Sequence, residues 1–319
     1  SDMASSPEAA APDTSSLETG LADVVDAEAA IDAPSDADAP VVTGYLALAA
    51  GASHGCAIRR SDERVVCWGG GTSGEAPAGP SVDAFVSLTA GSAHTCGVLR
   101  ADGRVSCWGS NTMGQAPPGP STAVFSRVAA GALHTCGIRS DQTVVCWGDN
   151  SSGQAPTSPT VALFTGIAAG DVFTCGIRAS DQKAVCWGSN AYGQAPPGPS
   201  ANAYSSLAAG AQHTCGIRVS DQKVLCWGNN TYGQAPPGPS IDVFTSLAAG
   251  RRHTCGVRLT DQKVVCWGDN TSGQAPPGPS TSTYASVAAG ALNTCGIRTT
   301  DGKLTCWGDN TSGQSTPPP

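Results

Sequence analysis

Fourteen cysteines, seven tryptophans and five histidines are the side chains with chemistry to offer, and they recur in one phrase. One copy reads His253-Thr254-Cys255-Gly256-Val257-Arg258, then the polar turn Leu259-Thr260-Asp261-Gln262-Lys263, then Val264-Val265-Cys266-Trp267-Gly268-Asp269-Asn270. The phrase occurs seven times, and its second cysteines are spaced by 40, 39, 40, 40, 40 and 40 residues. Each copy pairs two cysteines: Cys56/Cys67, Cys96/Cys107, Cys136/Cys146, Cys175/Cys186, Cys215/Cys226, Cys255/Cys266 and Cys295/Cys306. Folding each copy about its polar turn sets the two sulfurs opposite each other on adjacent strands. A disulfide closing such a loop of about 12 residues contributes roughly 3 kcal/mol. Structural zinc normally takes close Cys-x-x-Cys pairs or four ligands in one small module, whereas each copy here offers two cysteines and at most one histidine. The pairs therefore read as disulfides, and disulfides in such number belong to an oxidising compartment. The third pair is one residue closer, so its turn, Ser140-Asp141-Gln142-Thr143, is expected to be tighter with the bridge kept.

Other chemistry is thin. Histidine stands before the Thr-Cys step or its equivalent at His54, His94, His134, His213 and His253, but the other two copies carry Phe173 and Asn293. A ring of metal ligands does not tolerate phenylalanine, so these histidines read as strand residues hydrogen-bonded between repeats, with no metal. Gly69-Gly70-Gly71-Thr72-Ser73-Gly74 lacks the lysine of a phosphate loop and is the first copy of the turn after Trp-Gly. No Gly-x-Ser-x-Gly or His-Glu-x-x-His segment is present, so no catalytic residue, enzyme activity or cofactor is expected. Asn150, Asn229, Asn270 and Asn310 each begin an Asn-x-Ser/Thr sequence. Asparagine suits the turn there, and glycosylation would matter only in a eukaryotic source.

The elements that must carry the phrase follow from its period. Repeats near 40 residues made of short strands mean a repeat architecture, and the strand content favours a propeller over a helical solenoid. The expected fold is all-β: a seven-bladed β-propeller over residues 45–319, preceded by a disordered tail over residues 1–44. In the sixth copy Phe244-Thr245-Ser246-Leu247-Ala248-Ala249-Gly250 is the first strand, its small residues suited to a crowded central axis. The phrase itself supplies the second and third strands. Alternation sets His253, Cys255 and Val257 on one face of the sheet. Trp267 is expected beside Gly256, packing between blades. The Ala275-Pro276-Pro277-Gly278-Pro279-Ser280 run suits an outer rim, where proline blocks edge-to-edge pairing.

The net charge of -8 belongs to the tail. Residues 1–44 hold ten acidic and no basic residues, which leaves the repeats at +2. Ala, Asp, Ser and Pro dominate that segment, too little apolar surface to order, so it reads as a spacer. No basic stripe suits nucleic acid, and no apolar run is long enough for a transmembrane helix. The opening Ser1-Asp2-Met3 looks like a cloning remnant, so a native leader is expected to have been removed.

Strand direction puts the two residues after each Ala-Gly (the dyad) and the Asn turns on one face, and the Asp-Gln-Lys turns on the other. Differences between copies concentrate on the dyad face. Asp171, Val172, Tyr192, Gln212, Tyr232, Arg251 and Arg252 form a candidate partner-binding patch across the fourth to sixth copies, with Tyr and Arg as the anchors interfaces favour.

The phrase Ala-Ala-Gly-x-x-His-Thr-Cys-Gly-Ile, with Asp-Gln-Lys-Val-Val-Cys-Trp-Gly-Asp-Asn-x-Ser-Gly-Gln, resembles the regulator-of-chromosome-condensation repeat. The paired cysteines and Cys-Trp-Gly are similar to the crinkly-type repeats of plant receptor kinase ectodomains and to bacterial secreted members. The resemblance covers residues 45–319 and departs in Gly-Gln-Ala-Pro-Pro-Gly-Pro, where the usual continuation is Gly-Gln-Leu-Gly. It implies a seven-bladed scaffold, and family members with this fold serve unrelated functions. The expected function is a non-catalytic, monomeric, extracellular, periplasmic or cell-surface propeller that binds a protein through the dyad face. A carbohydrate- or cell-wall-binding module and a secreted enzyme inhibitor are the alternatives.

Overall fold

The computed structural model describes residues 43–156 and 158–319. Of the expected disordered tail, residues 1–42 lie outside the described residues. From Tyr45 onward the chain forms seven three-stranded antiparallel sheets, each built from strands consecutive in sequence. They are the seven blades of a propeller, spanning residues 45–69, 85–109, 125–148, 164–188, 204–228, 244–268 and 284–308. In blade 6 the strands are Phe244–Ala249, His253–Arg258 and Val264–Gly268. The first strand carries a register shift between Phe244 and Ser246 that turns Thr245 out to solvent, and every blade repeats it. The small residues of the first strands line a central channel, Leu-Ala-Ala or its equivalent from each blade.

Each blade has two unlike faces. Cys215, Ile217 and Val224 of blade 5 pack against Phe244, Leu247, Val265 and Trp267 of blade 6. The disulfide face of one blade thus seals the aromatic face of the next, and the same contact joins blade 7 (Cys295, Ile297) to blade 1 (Tyr45, Trp68).

Every blade carries its own disulfide between the second and third strands. In chain order the bridges are Cys56–Cys67, Cys96–Cys107, Cys136–Cys146, Cys175–Cys186, Cys215–Cys226, Cys255–Cys266 and Cys295–Cys306, and no described cysteine is free. The two partners of a bridge differ in depth, which their spacing in the sequence did not show. The second-strand cysteine is fully buried in all seven blades. On the third strand Cys67, Cys107, Cys186, Cys226, Cys266 and Cys306 are only half-buried, and Cys146 alone is buried. The second strand is the middle strand of each sheet and the third is its outer edge, so the third-strand sulfur has a neighbouring strand on one side only. The third bridge sits on the tighter turn: Gln142 donates its backbone N–H to Arg139 O, three residues back, where Gln182 donates to Arg178 O, four back.

One expectation fails. Trp267 does not lie opposite Gly256. In an antiparallel pair with Cys255 opposite Cys266, positions count outward in opposite directions, so Thr254 faces Trp267 and Gly256 faces Val265. The space beside Gly256 belongs to the first-strand ring: a Cβ there would come within 2.5 Å of Phe244 Cδ1. Phe244 in turn meets Trp267 edge-on at 5.9 Å between ring centroids, an arrangement favoured by the ring quadrupoles. Blade 1 swaps the pattern. Ala57 replaces the glycine, Gly55 replaces the threonine, and Trp68 lies over Gly55.

On the Asp-Gln-Lys face, the turn residue with positive φ joins neighbouring blades. Gln262 (φ 56°) offers its carbonyl to the N–H of Tyr284 at 2.8 Å. Glu63, Gly103, Gln142, Gln182, Gln222 and Gly302 do the same, the last to Tyr45, so the ring closes here with the bond used elsewhere.

Candidate interaction face

On the dyad face the blades are tied by a polar clasp. The backbone carbonyl of Gln115, in the turn after blade 2, accepts from Trp147 Nε1 at 2.9 Å and from Thr135 Oγ1 at 3.0 Å, both in blade 3. Because the Thr135 hydroxyl directs its proton to that carbonyl, it accepts from His94 Nε2, 2.9 Å away. His94 is therefore the Nε2–H tautomer, and its Nδ1 has no hydrogen-bond partner. Five copies hold the His–Thr link: His54–Thr95, His94–Thr135, His134–Thr174, His213–Thr254 and His253–Thr294. All five imidazoles are fully buried. Burial penalises their charged form and lowers their pKa from 6.5 to about 4, and for His213 to about 3.

The two copies without histidine differ in kind. In blade 4 Phe173 is buried in its place, and Thr214 of blade 5 has no imidazole partner and donates to Gln194 O. At the closure, blade 1 has Gly55 and no hydroxyl, and blade 7 has Asn293, whose Nδ2 donates directly to Gln314 O at 3.5 Å. Trp68 Nε1 donates to the same oxygen at 2.9 Å. The histidines were legible as inter-blade residues. The backbone carbonyl at the centre of each clasp, from glutamine or, at blade 2, Glu75, was not, because a backbone acceptor leaves no mark on residue type. The joint loss of histidine from the last copy and threonine from the first was the signal available.

The Asn turns are held as platforms. Asn190 Oδ1 accepts from Ala195 N at 3.0 Å and Gln194 Oε1 from Tyr192 N at 2.8 Å. The Tyr192 side chain stands 53% exposed on this fixed backbone, and Tyr232 43% exposed on its counterpart. The guanidinium of Arg252 lies over the Tyr232 ring, 4.5 Å from its centroid. Gln212 bonds Asn229 at 2.9 Å within blade 5. Asp171 and Arg251 line the mouth of the central channel, where the Ala-Gly-x segments of all seven blades wall a space of about 320 Å3. Burial raises the Asp171 pKa, and the Arg251 charge partly offsets that. Val172 is half-buried beside it. Of the patch, then, Tyr232 with Arg252 and Asp171 with Arg251 act on one another, and Tyr192 and Gln212 stand on neighbouring turns. The cysteines form a separate, structural set: none of them lines the channel mouth, and each is tied up in a bridge inside its own sheet. No described group of three or more His, Cys, Asp or Glu residues is placed to hold a metal ion. Among the described residues no helix is long and apolar enough to cross a membrane.

Seven segments match the Regulator of chromosome condensation (RCC1) repeat: residues 46–75, 85–115, 125–154, 164–194, 204–234, 244–274 and 284–314. The chain belongs to the RCC1 repeat family. Among solved structures, this RCC1-repeat propeller is similar to the ectodomain of the receptor kinase CR4 from Physcomitrella patens. That match has 26% identity, a TM-score of 0.72, and covers 84% of this chain and 74% of that one. It is similar also to the CRINKLY WD40 ectodomain of the Arabidopsis thaliana receptor kinase ACR4, at 28% identity and TM-score 0.70, covering 85% and 97%. Prp20p of Saccharomyces cerevisiae, described with its binding properties to Gsp1p and histones, shares the fold at 18% identity and TM-score 0.65, covering 80% and 82%. No curated protein sequence compared with the chain matches it.

Proposed function

We propose that this chain is a non-catalytic extracellular scaffold that binds a protein partner through its dyad face. The observation that carries the reading is the pairing of Arg252 with Tyr232 on an exposed, backbone-fixed turn, since aromatic and arginine side chains held rigid in the open are the anchors of protein interfaces. The seven bridged hairpins support an oxidising compartment, as does likeness to two receptor ectodomains. Residues 1–44 read by composition as a spacer ahead of the propeller at 45–319. The carbohydrate reading is disfavoured, because Arg252 occupies one face of the Tyr232 ring that a sugar would stack on.

The test is capture of partners from the native surface or medium by the wild-type chain and by Tyr192→Ala, Tyr232→Ala, Arg252→Ala and Arg251→Ala variants, alongside a glycan array. A protein captured by the wild type and lost, by tenfold or more, from the Tyr232 and Arg252 variants supports the reading; hot-spot truncations cost at least about 2 kcal/mol. Capture that all four variants retain, or binding confined to glycans, overturns it.

A further inference from the structure

We propose that the channel mouth on the dyad face binds a small zwitterion of the amino-acid class, its ammonium group to Asp171 and its carboxylate to Arg251. The mouth is a well of about 320 Å3. That lies at the lower end of the range for small-ligand pockets, about 300–1,000 Å3. Methyl groups and backbone make up the wall except at a few positions, and the charged side chains lining it are Asp171 from blade 4 and Arg251 from blade 6. The fold does not need either: Ala52, Ala132, Ala211 and Ala291 occupy the same repeat position. No hydrogen bond among the described residues reaches the Asp171 carboxylate, and neither it nor Arg251 joins any of the described ion pairs. Two unlike charges thus face a common space walled by methyl groups and backbone, and neither is held in an ion pair. A ligand with an ammonium at one end, a carboxylate at the other and a few carbons between satisfies both and covers the wall.

The blade that carries the carboxylate is one of the two that lack the histidine. Phe173 is fully buried under Gly170, where the other blades place an imidazole ring or, in blade 7, the Asn293 amide. The exchange, two residues from Asp171, gives up the inter-blade link to Thr214.

The site shares Asp171 and Arg251 with the proposed partner face, but it is measured on the full-length chain alone, so failure to capture a protein leaves it untouched. Isothermal titration is run with glycine, β-alanine, γ-aminobutyrate and ε-aminocaproate, then with the methyl ester and N-acetyl form of whichever binds. The expected result is saturable one-site binding of at least one zwitterion. Affinity should fall about tenfold or more for both blocked forms and for Asp171→Asn and Arg251→Gln, the loss expected when a charged hydrogen bond is removed. The blocked ligands are tested on the wild-type chain, so the outcome does not depend on the variants folding. No saturable heat with any zwitterion, or binding indifferent to blocking either end, overturns the proposal.

Discussion

At Gly250 a methyl group has nowhere to go. A Cβ there would fall inside contact distance of the His253 ring of its own blade and of the Gly290 carbonyl oxygen of the next. The backbone oxygen belongs to a closed ring and cannot retreat. Gly250→Ala should therefore cost at least about 2 kcal/mol, read as a lower denaturation midpoint. Gly278, on the outer rim, is the contrast: nothing lies within 4 Å of its Cβ position, but its φ is 82°. Gly278→Ala should cost only about 1 kcal/mol, the penalty of a left-handed backbone for a residue with a side chain. Equal losses at both sites would refute this account of the channel glycines. Their repetition in sequence was plain. Their cause was not, because the obstructing atom is a carbonyl from another blade.

The element that the inter-blade clasp depends on is the second strand, and its threonine can be tested without touching the disulfide. Thr254 accepts from His213 and donates to Gln234 O, whereas Thr214, with Phe173 in the place of the imidazole, lacks that donor and gives its proton to Gln194 O. Thr254→Val strands a buried imidazole N–H and should cost about 1–3 kcal/mol. Thr214→Val should cost about 1 kcal/mol or less, since Trp227 still serves the Gln194 carbonyl. Chemical denaturation of the two variants decides; a Thr214 variant as damaged as the Thr254 variant would show that the histidine link contributes nothing. At this scale most of the architecture was readable from the chain. The second strand of blade 6 spans the first half of the phrase and the third begins at Val264, where its second half does, and ends at Gly268, two residues before the phrase does, because alternation and the bracketing cysteines define them. The tryptophan was placed against a residue two positions from its true partner, since its neighbour depends on which residues sit opposite across the pair. The candidate patch was reachable as a list of variable positions. That Arg252 covers Tyr232, and that Asp171 and Arg251 share one well, depends on the angle between blades, which no single repeat encodes.

For the molecule as a whole, the buried histidines set an acid limit. Folded, they titrate at about 4 (His213 about 3) against 6.5 when exposed, so between these values the unfolded chain binds protons that the folded chain refuses. Stability is complete above pH 6.5 and falls as pH drops toward 4, by up to about 1.4 kcal/mol per pH unit for each histidine. The charges that face them modulate this: Glu75 raises His54, Asp149 raises His134 and Asp269 raises His253, while His54 and His134 lower His94, and His253 lowers His213. Thermal midpoints measured from pH 7 to pH 4 should decline, and the decline should shrink when His213 and His253 are replaced by Phe, the residue blade 4 already uses. A flat profile would contradict the burial. Thiol titration of the unreduced, denatured chain should find no free cysteine, and reduction should lower the midpoint, each bridge contributing roughly 3 kcal/mol.

The junction between Asn293 and Gly55 has a further consequence. Units that are nearly interchangeable can join in any order, so a propeller made of them risks pairing its last unit with an internal unit. Here the two terminal units are mutually exclusive with all others: a histidine at 293 would find no hydroxyl at Gly55, and the shorter amide reaches the Gln314 carbonyl without one. The mismatch works as an address. It tells the growing ring which unit is first and which is last, so the last unit meets a first unit rather than an internal one.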